Sequence, residues 1–304
     1  MANALGTLAP DVIALDVLQF LLKKYPILTM FATDFSNEPA KFNARVVTRV
    51  PVLPAVQSFS QAAGYAGTAA TTTDVPVTLN NFRHVTLSFF DDEMSSTSRN
   101  LVEEQVGVAA AALGKDAADK LIANIIAANF AQHAVTTDAS YTRAKLVAAR
   151  QALVTAGAIG NKVSILDAAA WAQLAQDPVI INTFNIGVSD ASLSFTDGVM
   201  NGVGGFDKIV EYADLALTDA TLTGFFGTKS SLVMCGRVPS DPTAYLPDIP
   251  INGIIKNVTD PSTGLTMQYR YHYQVDKGRL DMTLAWIFGT APGVSLHGYR
   301  YTNV

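Results

Sequence analysis

The chain has 304 residues, of which 15% are charged and 49% hydrophobic, and its formal net charge is −5. An average globular protein has about 25% charged residues, so much of this surface is expected to lie against other protein chains. The negative charge argues against a protein whose affinity for nucleic acid depends on neutralising phosphates, although a chain that merely encloses nucleic acid is compatible with it.

The single cysteine and the N-terminal residues indicate the cellular compartment of the newly made protein. Cys235 lies in the apolar run "SSLVMCG", so an internal disulfide is impossible and a buried, inert thiol in a reducing compartment is predicted. Asp11 and Asp16 interrupt the only apolar stretch near the start, which does not fit a secretory signal. No run approaches the ~18 apolar residues of a membrane span, so we expect a soluble protein without a membrane partner.

Residues 1–41 predict an arm that contains one short amphipathic helix, because they combine short apolar pieces with three prolines.

Two segments after this arm alternate apolar and polar residues, as β-strands do. The segment "KFNARVVTRV" then predicts a strand from Phe42, and "RHVTLSFF" predicts a second strand from Arg83. We expect these two strands to pair as an antiparallel hairpin.

The connection between these strands has an unusual composition. No charged residue occurs between Val50 and Thr73, and the segment is far longer than the 2 to 5 residues of a common hairpin loop. Disorder normally accompanies high charge and few aromatics, whereas this segment contains aromatic and β-branched residues. We therefore predict that it lies on another subunit, with these contact residues: Phe59, Ala63, Tyr65, Ala69 and Thr72.

A long helix is predicted after the second strand. Acidic residues and serines in "DDEMSSTSRNLVEEQ" suit a helix N-terminus, and the helix is expected to extend to about Phe130, a length of about 45 Å. Its apolar positions recur at helical spacing: Val102, Val106, Ala109, Leu113, Ala117, Leu121 and Ile125.

The remaining chain predicts an α/β module followed by a sheet. The segments "YTRAKLVAARQALVTAG", "KVSILD" and "AAAWAQLAQDP" give the order helix, strand, helix. The clearest strand is "LTMQYRYHYQV", and "RLDMTLAWIFG" is its expected antiparallel partner. The final segment "APGVSLHGYRYTNV" is expected to add a short strand to the same long sheet.

Motifs for catalysis, cofactors and metals are missing from the sequence. The four histidines form no HExxH or Cys/His cluster, and "GFFGTKSS" lacks the spacing of a phosphate-binding loop. The glycines of "GVGGF" precede a strand, so they do not fit a dinucleotide fingerprint, and no GxSxG occurs. We therefore predict a protein that is not an enzyme and has no cofactor or metal ion.

The order of these parts resembles the major capsid protein of tailed bacteriophages, an α+β fold shared with encapsulins and herpesvirus capsid floors. The segment "TTTDVPVTLNNFRHVTLSFFDDEMSSTSRNLVEEQ" is similar to the family's return strand of the extended loop and the start of its spine helix. The segment "GRLDMTLAWIFGTAPGVSLHGYR" is similar to its closing strands. The resemblance implies four parts: an N-terminal arm (1–41), an extended loop hairpin (42–92), a peripheral domain with the spine helix (93–140 and 241–304) and an axial domain (141–240).

The resemblance also implies a function and partners. Hexamers and pentamers of such subunits form an icosahedral shell around double-stranded DNA, which they do not read by sequence, and scaffolding and portal proteins are expected as further partners. The protein would be found in the virion, and in the host cytoplasm during assembly. Some family members join neighbouring loops by a lysine to asparagine bond, but this chain has no lysine between Lys41 and Lys115, so such a cross-link is not expected.

Two other functions stay open at this point. An encapsulin-like cargo compartment would use the same fold and assembly. An α/β enzyme would place its site in the 141–240 module, with Asp167 or Asp190 as acids, but no motif supports this function and it leaves the terminal sheet unexplained.

Overall fold

A computed structural model describes residues 18–51, 56–59, 61–62, 64–65, 72–96, 101–178, 180, 195–196, 198–241 and 253–304. Its helices are α1 (described from 18 to 24), α2 (Ile27–Met30), α3 (Asp91–Ser96), α4 (Leu101–Ile122), α5 (Arg143–Thr155) and α6 (Ala168–Ala175). Its strands are β1 (Ala32–Ala40), β2 (Arg45–Pro51), β3 (Thr72–Thr78), β4 (Asn81–Phe90), β5 (His133–Val135), β6 (Lys162–Leu166), β7 (Phe195–Thr196), β8 (Val199–Asn201), β9 (Lys208–Glu211), β10 (Leu222–Thr228), β11 (Leu232–Pro239), β12 (Ile254–Thr259), β13 (Thr266–Gln274), β14 (Arg279–Pro292) and β15 (Gly298–Thr302).

The first sheet is built around β14, a strand of 14 residues. Ile287 pairs with Phe82 of β4 and with Arg237 of β11, so these two strands lie on opposite edges of β14. The antiparallel strand β13 pairs with the first half of β14, on the same edge that β11 occupies further along. β12 pairs with the other edge of β13. β1 runs parallel to β11 and completes the sheet. The predicted pairing of "LTMQYRYHYQV" with "RLDMTLAWIFG" is confirmed.

The long helix packs on one face of this sheet. Alternate residues of β14, among them Met282, Leu284 and Trp286, are buried against it. The predicted helix face is confirmed within α4 where its side chains are described, because all four are buried: Ala109, Leu113, Ala117 and Leu121. Ile125, predicted on the same face, is also buried but lies beyond the end of α4. Burying a large apolar side chain stabilises the fold by roughly 1.5 to 3 kcal/mol, so this face holds the helix on the sheet.

Helix α1 lies across α4 at a glycine. A Cβ atom on Gly114 would be 2.8 Å from Cδ2 of Tyr25 and 2.9 Å from Cγ of Leu21. Only a residue without a side chain therefore allows this close approach. Leu18 and Leu21 are buried in the core, which confirms a short amphipathic helix in the predicted arm.

The second sheet has the strand order β5-β15-β10-β6-β9-β8-β7. All residues of β10 are buried because the strand contributes to two apolar cores: Leu222 and Phe225 lie in the core of α4, and Phe226 lies in a second core with α5 and α6. Helix α5 contributes Leu146, Ala149 and Leu153 to this core. The predicted order helix, strand, helix is confirmed by α5, β6 and α6.

The predicted hairpin partner is wrong. β2 pairs with β3, from Arg45 opposite Thr78 to Pro51 opposite Thr72, whereas β4 pairs with β14. The segment "TTDVPVT" has strong β propensity, and its alternating Val75 and Val77 give β2 an apolar partner close in sequence. The strand β4 is thereby free to extend the first sheet.

Three further expectations differ from the structure. The acidic turn forms the separate helix α3, and α4 ends at Ile122 rather than Phe130. The side-chain amide of Asn124 donates hydrogen bonds to the carbonyls of Lys120 and Leu121, at 3.0 and 3.2 Å, and so takes up carbonyls left free at the helix end. The last strand, β15, pairs with β10 and β5 in the second sheet instead of extending the terminal sheet.

Three strands lie across the expected domain boundaries. β11 falls within 141–240 but pairs in the first sheet, whereas β5 falls within 93–140 and β15 within 241–304 but both pair in the second sheet. The chain therefore crosses between the two sheets more often than the four predicted parts imply. The division into an arm, an extended loop, a peripheral domain and an axial domain stays a proposal.

Candidate assembly surfaces

The inner face of the β2–β3 hairpin is buried against the first sheet. Val75, Val77 and Leu79 form a small apolar core with β11 and β14 residues that include Cys235. The Cys235 sulfur lies 3.6 Å from the hydroxyl of Thr48, and burial raises the pKa of this thiol. The predicted buried cysteine is confirmed, and the hairpin is anchored to its own subunit.

The other face of this hairpin, the hairpin outer face, is open to solvent. β2 exposes alternate residues: Arg45, Val47 and Arg49. The residues opposite them on β3 are also exposed: Asp74, Pro76 and Thr78. The Arg49 guanidinium lies 3.7 Å from the Asp74 carboxylate, but both side chains are more than half exposed, and such pairs contribute only about 0 to 1 kcal/mol. Two arginines beside an exposed valine are therefore available to a partner.

The loop beyond the hairpin exposes two aromatic residues. Phe59 is 62% exposed and Tyr65 is 93% exposed, and their ring centroids lie 5.0 Å apart. Aromatic side chains are enriched at the centres of protein interfaces, so this pair suits a contact surface. Ala63 and Ala69 lie outside the described residues, and only the backbone of Thr72 is described, at the start of β3. The assignment of all five residues to a contact between subunits stays a prediction.

A second exposed surface, the acidic corner, lies at the end of the first sheet where β14 begins. Helix α3 exposes three acidic residues: Asp91, Asp92 and Glu93. Exposed apolar side chains surround them: Phe90, Tyr273 and Val275. The backbone N–H of Phe90 donates to Glu93, and the hydroxyl of Tyr273 donates to Asp91, so these contacts fix the corner on the sheet.

A buried carboxylate joins three strands beside this corner. Asp281 of β14 accepts hydrogen bonds from Ser88 of β4 at 2.6 Å, from Gln274 of β13 at 2.6 Å and from Arg279 at 2.9 Å. Burial alone would raise the pKa of Asp281, but the hydrogen bonds from Ser88 and Arg279 outweigh it and hold the pKa below its usual value. Asp281 is thus ionised at neutral pH and orients the strands around it.

An ionic cluster connects α4 with the second sheet. The Lys115 ammonium lies 2.6 Å from Asp214 and 3.1 Å from Asp119, and these hydrogen bonds raise the pKa of Lys115. Asp119 also accepts a 2.6 Å hydrogen bond from Tyr212. A cavity of about 280 Å³ lies beside this cluster and is also lined by Tyr25 near α1. The cluster therefore ties the long helix to the turn that follows β9.

The acids considered for an enzyme do not form a site in the described residues. Asp167 caps α6 by accepting a 3.2 Å hydrogen bond from the N–H of Ala169, and Asp190 lies outside the described residues. Sequence reasoning missed one contact, between the Ser230 hydroxyl and Nδ1 of His297 at 2.6 Å, because these residues are 67 positions apart. Burial lowers the pKa of His297. The contact holds the turn after β10 against the loop before β15.

Two searches of the described part of the chain gave negative results. No group of three or more His, Cys, Asp or Glu side chains in that part could hold a metal ion. Among the helices described there, none is long and apolar enough to cross a membrane.

Comparison with known proteins gives matches in structure alone. No protein-family model and no curated protein sequence matches the chain. The capsid of cyanophage P-SCSP1u matches with a TM-score of 0.55 and 10% identity, over 90% of this chain and 86% of that chain. A structure from Mycobacterium phage Che8 matches with a TM-score of 0.50 and 14% identity, over 86% of this chain and 85% of that one.

A third structure extends the likeness beyond phages. A virus-like particle from Pyrococcus furiosus matches with a TM-score of 0.50 and 11% identity, over 94% of this chain and 95% of that chain. These likenesses cover 86% to 94% of this chain, so they concern most of its length and not one short segment. The chain has the fold of the major capsid proteins of tailed bacteriophages.

Proposed function

We propose that this protein is the shell subunit of a tailed-phage head. The observation that carries this proposal is the chain-long likeness to phage capsid structures, at 86% to 91% of this chain for three phages. On this proposal, copies of the chain form hexamers and pentamers that close into an icosahedral shell, and the protein has no catalytic role. Its place is the virion, and the host cytoplasm during assembly.

The composition of the extended loop supports this function. Residues 50–73 contain no charged side chain, and the described part of this segment exposes an aromatic pair. We propose that the loop of one subunit lies across a neighbouring subunit, with Phe59, Ala63, Tyr65, Ala69 and Thr72 in the contact. Obligate assemblies bury on the order of 2,000 to 5,000 Å² per interface, so many such contacts stabilise a shell even when each is modest.

The shell would enclose double-stranded DNA without reading its sequence. The net charge of −5 leaves no large basic surplus for tight binding of the free subunit, so contact with DNA would depend on general electrostatics. Scaffolding and portal proteins are the further partners that we expect for this function. An encapsulin-like compartment is the second candidate, since the likeness includes a virus-like particle from Pyrococcus furiosus.

The contents of the particle distinguish these two shells. Particles that contain this chain would be isolated from the cells that produce it, treated with nuclease and then opened. Double-stranded DNA that survives the nuclease is the expected result for a phage head. Particles that hold an enzyme and no DNA would overturn the phage assignment and support the cargo compartment, while the absence of any particle would contradict both.

A further inference from the structure

Opposite charges are separated along the sequence of this chain. Lys41, Arg45 and Arg49 are the charged residues from 41 to 73, and the next one, Asp74, lies opposite Arg49, so the hairpin outer face carries two arginines and one aspartate. The segment from 90 to 104 contains five acidic residues and one arginine. In the structure these segments supply the arginines of the hairpin outer face and the carboxylates of the acidic corner.

The two surfaces also have apolar parts that can be buried together. The hairpin outer face includes the exposed Val47, with the exposed Phe42 just before β2. The acidic corner includes Phe90 and Tyr273, and Val275, which is 74% exposed. Each surface therefore combines charge with apolar area, as the partners in a protein interface do.

These surfaces cannot meet within one copy of the chain. The hairpin lies against the far half of β14, where Gly289 has no room for a Cβ because that atom would collide with the carbonyl oxygen of Thr78. The acidic corner lies at the near end, where Arg279 pairs with Phe90. Ten residues of strand separate these positions, which corresponds to about 33 Å. This distance exceeds the screening length of about 10 Å in 0.1 M salt, so the two charges do not neutralise each other.

We propose that the hairpin outer face of one copy binds the acidic corner of a second copy. The two surfaces differ from each other, so the contact is head-to-tail, and a bound pair still presents one free surface of each kind. Head-to-tail contacts generate closed rings when the rotation between copies closes. Complementary charges also speed the encounter and fix the register of the subunits. This inference rests on the proposed shell function and names one contact within it.

Charge reversal on each surface tests the contact. The hairpin variant carries Arg45→Glu and Arg49→Glu, and the corner variant carries Asp92→Lys and Glu93→Lys; Asp91 is kept because it accepts from Tyr273. Each variant alone places like charges opposite each other, so we expect at least a tenfold loss of assembled material by sedimentation velocity. The control, with Arg143→Glu and Lys208→Glu on exposed positions of the second-sheet region, should assemble like the wild type.

Mixing the two variants gives the decisive result. When the two variants alternate, an intact hairpin meets an intact corner and a reversed hairpin meets a reversed corner, so every contact in a ring of six has opposite charges again. We expect the equimolar mixture, and a chain with all four substitutions, to recover rings. Thermal unfolding confirms beforehand that each variant is folded.

Three results would count against the proposal. Normal assembly of both single-surface variants would overturn it, as would folded variants that fail to rescue each other in the mixture. Wild-type assembly that is unchanged between 0.05 and 1 M salt would also contradict it, because screening at 1 M reaches about 3 Å. A wild-type chain that forms no assemblies, either alone or with a scaffolding protein, would instead overturn the proposed function itself.

Discussion

At the scale of single residues, we expect the buried carboxylate of Asp281 to stabilise the first sheet. Its carboxylate joins β4, β13 and β14 through Ser88, Gln274 and Arg279. Removing it would leave Arg279 without this carboxylate and would break contacts to two neighbouring strands. The loss of a buried charge partner is among the costliest single changes in a protein.

We predict that Asp281→Ala lowers the free energy of unfolding by about 3 kcal/mol. Urea denaturation of the subunit measures this change. Asp276→Ala is the matched control, because Asp276 is exposed in the turn before β14 and surface substitutions usually change stability by less than about 0.5 kcal/mol. Equal effects of the two substitutions would show that the Asp281 contacts do not stabilise the sheet.

The pH dependence of stability follows from the same carboxylate. The pKa of Asp281 is lower in the folded chain than in the unfolded chain, so the unfolded state takes up the proton first as the pH falls. The stabilisation is present above the unfolded pKa, about 3.9, and is lost as the pH falls through the lower folded pKa. We predict that Asp281→Asn flattens this acid loss in unfolding curves recorded between pH 6 and 2. An unchanged pH profile would contradict the assignment.

At the scale of elements, two glycines of α4 have opposite surroundings. A Cβ on Gly114 would collide with Tyr25 and Leu21, whereas a Cβ on Gly107 would meet no atom within 4 Å. The structure therefore predicts opposite outcomes for the same substitution. Gly114→Ala should destabilise the chain by about 1 to 3 kcal/mol through overpacking, and Gly107→Ala should stabilise it by about 0.5 to 1 kcal/mol through helix propensity.

Thermal unfolding of the two glycine variants checks this prediction. A shift in opposite directions would support the packing of α1 on α4. Stabilisation by both alanines would mean that α1 does not lie on Gly114.

The extended loop gives a prediction about assembly. Ala63→Asp or Ala69→Glu should block particle formation without changing the fold, because each would bury an unpaired charge between subunits. Ala63→Ser is the matched control, as it keeps the small size and adds no charge. Particle yield is measured by gradient centrifugation and folding by circular dichroism. Normal yields from both charged variants would exclude a buried loop.

The elements that could be predicted from sequence are those whose pattern is local. The apolar positions of α4 recur at helical spacing, and β13 and β14 each alternate apolar and polar residues on either side of a short turn. The helix and this pair of strands could therefore be predicted without knowledge of distant contacts. The partner of β2 could not be chosen by pattern, because β3 and β4 both alternate. Register between strands depends on which apolar face a distant strand offers, here Val233 and Ile287.

The candidate surfaces were predicted only in part for a similar reason. An absence of charge from 50 to 73 is visible in the sequence and pointed to a contact surface. For the charged residues of the acidic corner, the sequence pattern indicates only a helix N-terminus. The contact of Asp91 with Tyr273 joins residues 182 positions apart, so it cannot be predicted from sequence spacing. The contact of Ser88 with Asp281 across 193 positions was missed for the same reason.

At the scale of the whole molecule, the chain combines two cores with surfaces that a lone subunit would leave exposed. One core joins α4 and the first sheet and also contains side chains of the second sheet such as Ile165 and Phe225, and the other lies between the second sheet and helices α5 and α6. The Lys115 cluster connects them. The loop aromatics Phe59 and Tyr65 remain in solvent, which is the arrangement expected of a subunit that is completed by its neighbours.

Self-assembly of the chain is the central claim, and electron microscopy with sedimentation velocity tests it most directly. The chain would be purified alone and, in parallel, after production with a phage scaffolding protein. We predict rings of five and six subunits or closed shells in at least one of these samples. A single species of one subunit mass in both samples would contradict the account.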